Sequence, residues 1–314
     1  MTAPSPASGP EAIAEAVRRL RDGRPVAFPT ETVYGLGAIA TDETAVARVF
    51  QTKGRPADNP LIVHVADADI ARSCVADWPE HAQSLAEAFW PGPLSLVLPR
   101  APSIPDIVTG GGDTVAVRCP KHPDALALLH ALGEPLVGPS ANPSGTVSPT
   151  TAAHVRSHWP ESEVFVIDGG PCPVGLESTV LALLASGAPT VLRPGAITAD
   201  QIAGVLNTEV RAAAGDEPTD APAPSPGTRH PHYQPAAPVV IDPADALAGE
   251  AALDLPADPA AAASMLYAAL RAADAASPTR IAVRLDPGRD RTDPRWVAVL
   301  DRLNRAASPR PPRA

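Results

Sequence analysis

A mixed, twisted sheet with helices packed on it, followed by a smaller α/β unit, is the α/β fold this sequence predicts. Two observations carry that expectation. Along residues 10–207, short apolar runs bounded by Gly, Pro and polar residues alternate with stretches whose apolar residues recur at helical spacing, without a strict βαβ rhythm. A stretch at 208–238 dominated by Ala, Gly, Pro, Asp and Thr then separates that part from 239–314, which has strand and helix signals of its own. Ala, Leu, Val and Ile must build the core, because 45% of residues are hydrophobic and only 4% aromatic.

After a Pro/Ser start over residues 1–9, residues 10–22 read as a helix: Pro10 suits the first turn, Ile13, Val17 and Leu20 form one stripe, and Gly23 terminates it. A short strand at 26–28 runs into Pro29-Thr30-Glu31-Thr32. Residues 43–52 form a second helix with Val46, Val49 and Phe50 inward, ending near Lys53-Gly54. Residues 61–65 read as a buried strand carrying His64. Residues 80–89 form a third helix, stopped by Trp90-Pro91-Gly92-Pro93. Strands are expected at 94–98, 115–118, 135–137, 164–167, 179–184 and 190–192, with helices at 123–132 and 198–206. Beyond the linker come strands at 239–241, 251–255 and 281–284, and helices at 258–274 and 294–306. Leu266, Leu270, Trp296, Val299, Leu300 and Leu303 give the inner faces of those helices.

The formal charge of −10 gives a whole-chain field that does not attract nucleic acid. It leaves room for a local basic cleft, which Lys53, Arg55, Arg118 and Arg193 can line. The basic, Pro-interleaved segment from Arg302 to Arg313 reads as a solvated end. Cys74, Cys119 and Cys172 are odd in number and far apart, so a disulfide framework is not expected and a reducing cytoplasm fits. The N-terminus lacks a signal-peptide pattern, and no apolar run reaches transmembrane length, so no membrane association is expected.

Two polar constellations stand beside apolar runs. Lys53-Gly54-Arg55-Pro56 with Asn59-Pro60-Leu61 supplies cations, and Gly138-Pro139-Ser140-Ala141-Asn142 with Ser144-Gly145 supplies a hydroxyl and an amide. Together they suit a polyanion, since Arg offers a planar fork to phosphate or carboxylate and Lys a point charge. Taken alone, Thr30-Glu31-Thr32-Val33-Tyr34-Gly35-Leu36-Gly37 reads as an ordinary Gly-rich connection, though ligand loops also need Gly for close approach. Lys53-x-Arg55 can equally serve the dipole of the preceding helix. His64 reads either as a satisfied core histidine or as a site residue, on the strand face opposite Ile62 and beside the same loop. Arg118 ends its strand and wants an anion, either a protein carboxylate or a ligand. Glu177-Ser178-Thr179-Val180 and Leu192-Arg193-Pro194-Gly195 repeat the theme of a polar group at the edge of an apolar run. His230-x-His232 is too few ligands for a protein-bound transition metal. There is no P-loop, no G-x-S-x-G and no H-E-x-x-H.

FPTETVYGLG, KGRPADNPLIVHV, WPGPLSLVL, VAVRCP, GPSANPSG, ESTV and LRPGAI, in that order over about residues 10–207, resemble the YrdC-like family of threonylcarbamoyl-AMP synthases. SPGTRHPHY and the segment after it resemble the linker and C-terminal domain of the longer members. The resemblance implies an open twisted mixed sheet around a concave basic cleft. It implies condensation of L-threonine, bicarbonate and ATP, with Mg2+ on the phosphates, into threonylcarbamoyl-adenylate and pyrophosphate, for modification of tRNA. It carries catalytic roles to Lys53, Arg55, Ser140 and Asn142. Threonine would be surrounded by Thr32, His64, Arg118, Ser140 and Ser178, and ATP by Arg55, Asn59, Thr114, Asn142, Thr150 and Arg193. Tyr233 would reach back over the nucleotide, so that residues 225–235 act as a lid. It also implies a downstream threonylcarbamoyl-transferase complex as partner, with tRNA or double-stranded RNA as a further one.

Two departures qualify the resemblance. Only residues 242–250 separate the first two strands of the C-terminal unit, fewer than the dozen or more that a helical crossover to a parallel neighbour needs, so that unit reads as reduced. The linker before Ser225 is long and rich in Ala and Pro. The competing class is a YrdC-like module that holds RNA without chemistry. The cleft charge fits both classes, whereas Thr32, Arg118 and Ser178 together fit an amino-acid ligand. A carbamoyl-transferring relative of the hydrogenase-maturation type would carry a zinc-finger segment, which three cysteines do not supply.

Overall fold

The computed structural model describes residues 8–184, 187–212 and 232–308. Its elements are α1 (Gly9–Arg21), β1 (Val26–Phe28), β2 (Gly35–Ile39), α2 (Glu43–Lys53), β3 (Ile62–His64), α3 (Ala68–Cys74), α4 (Glu80–Phe89), β4 (Leu94–Pro99), α5 (Asp106–Thr109), β5 (Thr114–Arg118), α6 (Pro123–Leu132), β6 (Leu136–Val137), α7 (Ala152–Arg156), β7 (Phe165–Val166), β8 (Thr179–Ala182), β9 (Thr190–Arg193), α8 (Ala199–Leu206) and β10 (Arg211–Ala212). A second set follows: β11 (Val239–Ile241), β12 (Ala251–Leu255), α9 (Pro259–Ala275), β13 (Ile281–Leu285) and α10 (Trp296–Ala307). The residues at 1–7, the segment with Ser225 and His230, and the end beyond 308 lie outside the described residues. No described helix is long and apolar enough to cross a membrane.

β1 to β10 form one ten-stranded mixed sheet in the order β10-β9-β8-β4-β5-β3-β6-β2-β1-β7. Period-two alternation gives this sheet two different faces. Val63 of β3, Val115 and Val117 of β5, and Leu96 and Leu98 of β4 point into the large core, with Val46 and Val49 of α2. Ile62, Val97, Ala116, Val180 and Ala182 form a separate small cluster from the alternate positions. His64 shares the face of Ile62, because residues two apart in a strand point the same way, and both border one cavity. The expectation that they face oppositely is corrected here. In the parallel β3–β5 pair, His64 stands beside Arg118.

β2 is the element the sequence hides. Its Gly35 and Gly37 read as a turn, but they lie opposite Phe28 and Val26 of β1. A Cβ on Gly35 would come within 2.9 Å of the Phe28 ring, so glycine is needed for the approach of a neighbouring strand's side chain rather than for a turn.

The second sheet is parallel, with order β11-β13-β12. β11 and β12 are therefore not neighbours. The short 242–250 connection spans the place that β13 later fills, and a helix-bearing crossover occurs once, as β12-α9-β13. α9 and α10 bury Leu266, Tyr267, Leu270, Trp296, Val299 and Leu303 in a core that also takes in Val33, Val147 and Leu176 from the first part of the chain. Arg302 is not part of a solvated tail. It lies within α10, 0% exposed, because it has a buried carboxylate partner in the first part.

Candidate active site

A cavity of about 60 Å3 lies where the loops after β1, before β3 and after β6 meet the ends of β5 and β9 and the start of β8. Thr32, Arg55, His64, Arg118, Ser140, Ser178, Arg193 and Tyr233 all border it. Thr30, Gly35, Glu177 and His232 border it as well. Lys53, Asn59, Thr114, Asn142 and Thr150 do not line it, and most of these stand behind residues that do.

Lys53 ends α2, where Gly54 adopts a left-handed φ of 61° and turns the chain toward Arg55. The buried Lys53 ammonium donates to Ser140 O and Asn142 O, each at 2.5 Å, and so holds the 138–142 loop from behind. Burial, then the neighbouring Arg55 charge, push its pKa well down. Arg55 donates to Asn59 Oδ1 at 2.7 Å and Pro60 O at 2.7 Å, which aims its guanidinium across the cavity rim. Burial lowers its pKa to about 10. Asn142 gives its Nδ2 to Pro143 O and Thr146 O at 2.9 and 3.0 Å. Its buried Oδ1, like Asn59 Nδ2, His64 Nδ1 and His232 Nε2, has no hydrogen-bond partner among the described residues. Buried polar atoms without protein partners are uncommon and are suited to a polar ligand.

Arg118 is 3% exposed and committed in part to the protein. Its Nε donates to Gly92 O at 3.2 Å and its Nη1 to Thr32 Oγ1 at 3.0 Å. Its Nη2 lies 2.7 Å from Glu31 Oε1, an ion pair off the straight hydrogen-bond geometry. Of the two partners the sequence left open for Arg118, the protein carboxylate is present. Thr30 Oγ1 donates to Val33 O at 2.6 Å, so the proton between Thr30 and Thr32, 2.8 Å apart, belongs to Thr32. Thr32 thus presents an oriented hydroxyl beside Arg118.

His64 is 2% exposed and packs edge-on against Phe28, with ring centroids 5.5 Å apart. Burial, then the Arg118 charge, lower its pKa to about 3, so it is a neutral hydrogen-bonding group at physiological pH. Ser178 pairs its hydroxyl with Ser95 at 2.8 Å, and Arg193 donates to Ser178 O at 3.1 and 3.2 Å. Thr114 begins β5 opposite Pro99. Thr150 sits against His154, its backbone N–H donating to Nδ1 at 3.2 Å. Tyr233 is 4% exposed and closes the cavity with its ring stacked on Tyr267 at 5.5 Å. Glu177 is legible only as a polar group at a strand edge; besides Ser148, its partners Tyr267 and Arg302 come from α9 and α10, which no local pattern records. Among the described residues, no group of three or more His, Cys, Asp or Glu is placed to hold a metal ion.

Residues 18–195 match the Sua5/YciO/YrdC family model, described as "Telomere recombination", and residues 245–308 match the model described as the threonylcarbamoyl-AMP synthase C-terminal domain. A threonylcarbamoyl-AMP synthase of Pyrococcus abyssi is 47% identical over 71% of this chain and 65% of that protein. Its namesake from Bacillus subtilis is 46% identical over 73% of this chain and 66% of that protein. The matched stretch thus spans just under two thirds of the length of these relatives. The crystal structure of P. abyssi Sua5 complexed with L-threonine superposes with a TM-score of 0.85 at 38% identity, covering 94% of each chain. The crystal structure of E. coli YciO superposes with a TM-score of 0.53 at 25% identity, over 60% of this chain and 93% of that one.

Proposed function

This chain belongs to the Sua5/YciO/YrdC family, and from that premise we propose that it joins L-threonine, bicarbonate and ATP into L-threonylcarbamoyl-adenylate, releasing pyrophosphate, for threonylcarbamoyladenosine modification of tRNA. The observation that carries the reading is the convergence of Thr32, His64, Arg118, Ser140 and Ser178 with Arg55 and Arg193 around one cavity. We assign threonine to the first five, with its carboxylate sharing the Arg118 guanidinium with Glu31. We assign ATP to Arg55, Asn59, Thr114, Asn142, Thr150 and Arg193 beneath Tyr233. The relatives named as synthases and the neighbour complexed with L-threonine support the reaction and threonine as a substrate.

The chemistry requires no covalent nucleophile. Bicarbonate takes up a proton and loses water to give carbon dioxide, and the threonine amine attacks its carbon, forming the carbamate and releasing the amine proton that balances the one taken up. A carbamate oxygen then attacks the α-phosphorus of ATP, the bond to the β-phosphate breaks, and pyrophosphate departs. The cavity residues orient the partners and stabilise the charge that develops on phosphate. His64, with a pKa near 3, is too weak a base to take the amine proton and acts as a hydrogen-bond partner. Glu31 and Glu177 are both engaged by protein cations, so Mg2+ enters as part of the nucleotide substrate.

A cavity of about 60 Å3 holds roughly four or five waters. Threonine and a nucleotide therefore enter only if the 232–233 segment withdraws, and its return excludes water from an adenylate that would otherwise hydrolyse. The inward, buried placement of Arg118 and Arg193 favours small ligands over an RNA duplex. A downstream transferase complex would receive the product, and three free cysteines fit a reducing cytoplasm. The test is pyrophosphate release from ATP and bicarbonate with and without threonine. Strict dependence on threonine is expected, and release of equal size without threonine overturns the reading.

A further inference from the structure

Three donors from three parts of the chain hold the Glu177 carboxylate. Oε1 accepts from Ser148 Oγ at 2.7 Å, and Oε2 accepts from Tyr267 Oη at 2.9 Å and Arg302 Nε at 2.8 Å. The wholly buried Arg302 also donates to Pro194 O at 3.0 Å and to Asp301 Oδ2 at 2.6 Å. Burial by itself would raise the Glu177 pKa, but the charges of Arg302 and Arg193 and the donated hydrogen bonds hold it down, so the carboxylate stays ionised. Burial, then the Glu177 charge, push the Tyr267 hydroxyl well up, so it remains a protonated donor.

The same two side chains form the seat of Tyr233. Its ring stacks on Tyr267 at 5.5 Å and 26°, and the Arg302 guanidinium lies 5.5 Å from its centroid. Tyr233 has a φ of 66°, unfavourable for a residue with a side chain, so tertiary contacts rather than local preference keep it there.

We infer that Tyr267 and Arg302, both from the C-terminal unit, are positioning residues for the proposed reaction: they fix Glu177 and Pro194 from behind the cavity and seat Tyr233 over it. This rests on the synthase reading above. Neither residue lines the cavity. Each acts through a neighbour in sequence, Glu177 through Ser178 and Pro194 through Arg193. Because Arg193 donates to Ser178 O, a shift at either end moves both sides of the site. A displacement of about 1 Å at such groups is enough to cost on the order of 100-fold in rate.

The two residues make different contacts, and this separates their effects. Tyr267→Phe keeps the ring stack and removes only the bond to Glu177. It should raise the KM for threonine about tenfold and that for ATP by less, since the shift reaches Arg193 only through Ser178. Arg302→Lys keeps the charge but cannot reach Glu177, Pro194 and Asp301 together, so both KM values should rise. Arg280→Lys, at a distant ion pair with Glu250 in the same unit, should change neither. A merely structural role would lower kcat with the amount of folded protein and leave both KM values alone.

A second arm uses no substrate. The Gln234 amide donates to Gly145 O at 3.0 Å, and its hydrogen exchange in the free full-length protein should accelerate about tenfold in Arg302→Lys, while that of Val117 in β5 stays fixed. This arm stands even if the wild-type protein makes no pyrophosphate, so the two readings fail separately. If Arg302→Lys does not fold, Tyr267→Phe carries the test. Wild-type threonine KM in Tyr267→Phe, or wild-type Gln234 exchange in a folded Arg302→Lys, overturns the inference.

Discussion

Lys53 shows how a single side chain can be read correctly as a cation and wrongly as to where it points. It faces two backbone carbonyls of the 138–142 loop rather than the cavity. Lys53→Ala should therefore lose activity through a displaced loop and lose stability with it. Two buried charge-assisted bonds correspond to about 3–6 kcal/mol, read as a lower urea midpoint. An inactive variant with a wild-type midpoint would mean that Lys53 reaches substrate directly. His64 gives a pH prediction. Between its unfolded pKa of 6.5 and its folded pKa of about 3, the unfolded chain binds the extra proton. Its contribution is therefore intact above 6.5 and lost progressively as the pH falls toward 3, by about 2 kcal/mol at pH 5. His154, His158 and His232 are depressed too, so the check is the difference in slope. His64→Gln should show a shallower fall in unfolding free energy from pH 6.5 to 4, and identical slopes would disprove the assignment.

At the scale of elements, the loop before β8 and helix α9 meet backbone to backbone. Gly175 has a φ of +73°, and a Cβ there would come within 2.6 Å of Ser264 Cα and 2.7 Å of Ala263 O. Gly175→Ala should cost at least 1–3 kcal/mol, roughly the strain of a left-handed non-glycine residue, and should also push α9 away from Glu177. A denaturation midpoint within error of wild type would show that the contact yields easily. Elements whose cause is local were legible in the sequence. α2 announces itself through its Val46, Val49 and Phe50 face and the Gly54 stop, and α1 through Pro10 and its Ile13 and Leu20 stripe. β2 was not legible, because its glycines answer to Phe28 on another strand. Of the candidate site, the residues at strand ends were legible as polar groups beside apolar runs. The direction of Lys53, the Glu31–Arg118 pair and the Glu177–Arg302 pair were not, since each depends on a partner distant in sequence.

For the whole molecule, the two sheets share one buried cluster in which Val33, Val147 and Leu176 pack with Leu266, Leu270 and Trp296. Truncation at residue 210 would strip that cover and leave buried Glu177 with Ser148 alone, and breaking a buried ion pair costs about 3–5 kcal/mol. The truncated chain should therefore lose threonine binding as well as product formation, measurable by calorimetry with threonine alone. Full-length affinity in the fragment would show that the first sheet completes the threonine site by itself. The chain order of these contacts also bears on synthesis. A ribosome makes Glu177 well before Arg302, and β13, the middle strand of the second sheet, only after both of its neighbours. A nascent chain, or one cut short by a premature stop, thus carries an unfinished site. For the reaction proposed above, the site is complete only once α10 has been made and Arg302 has reached Glu177.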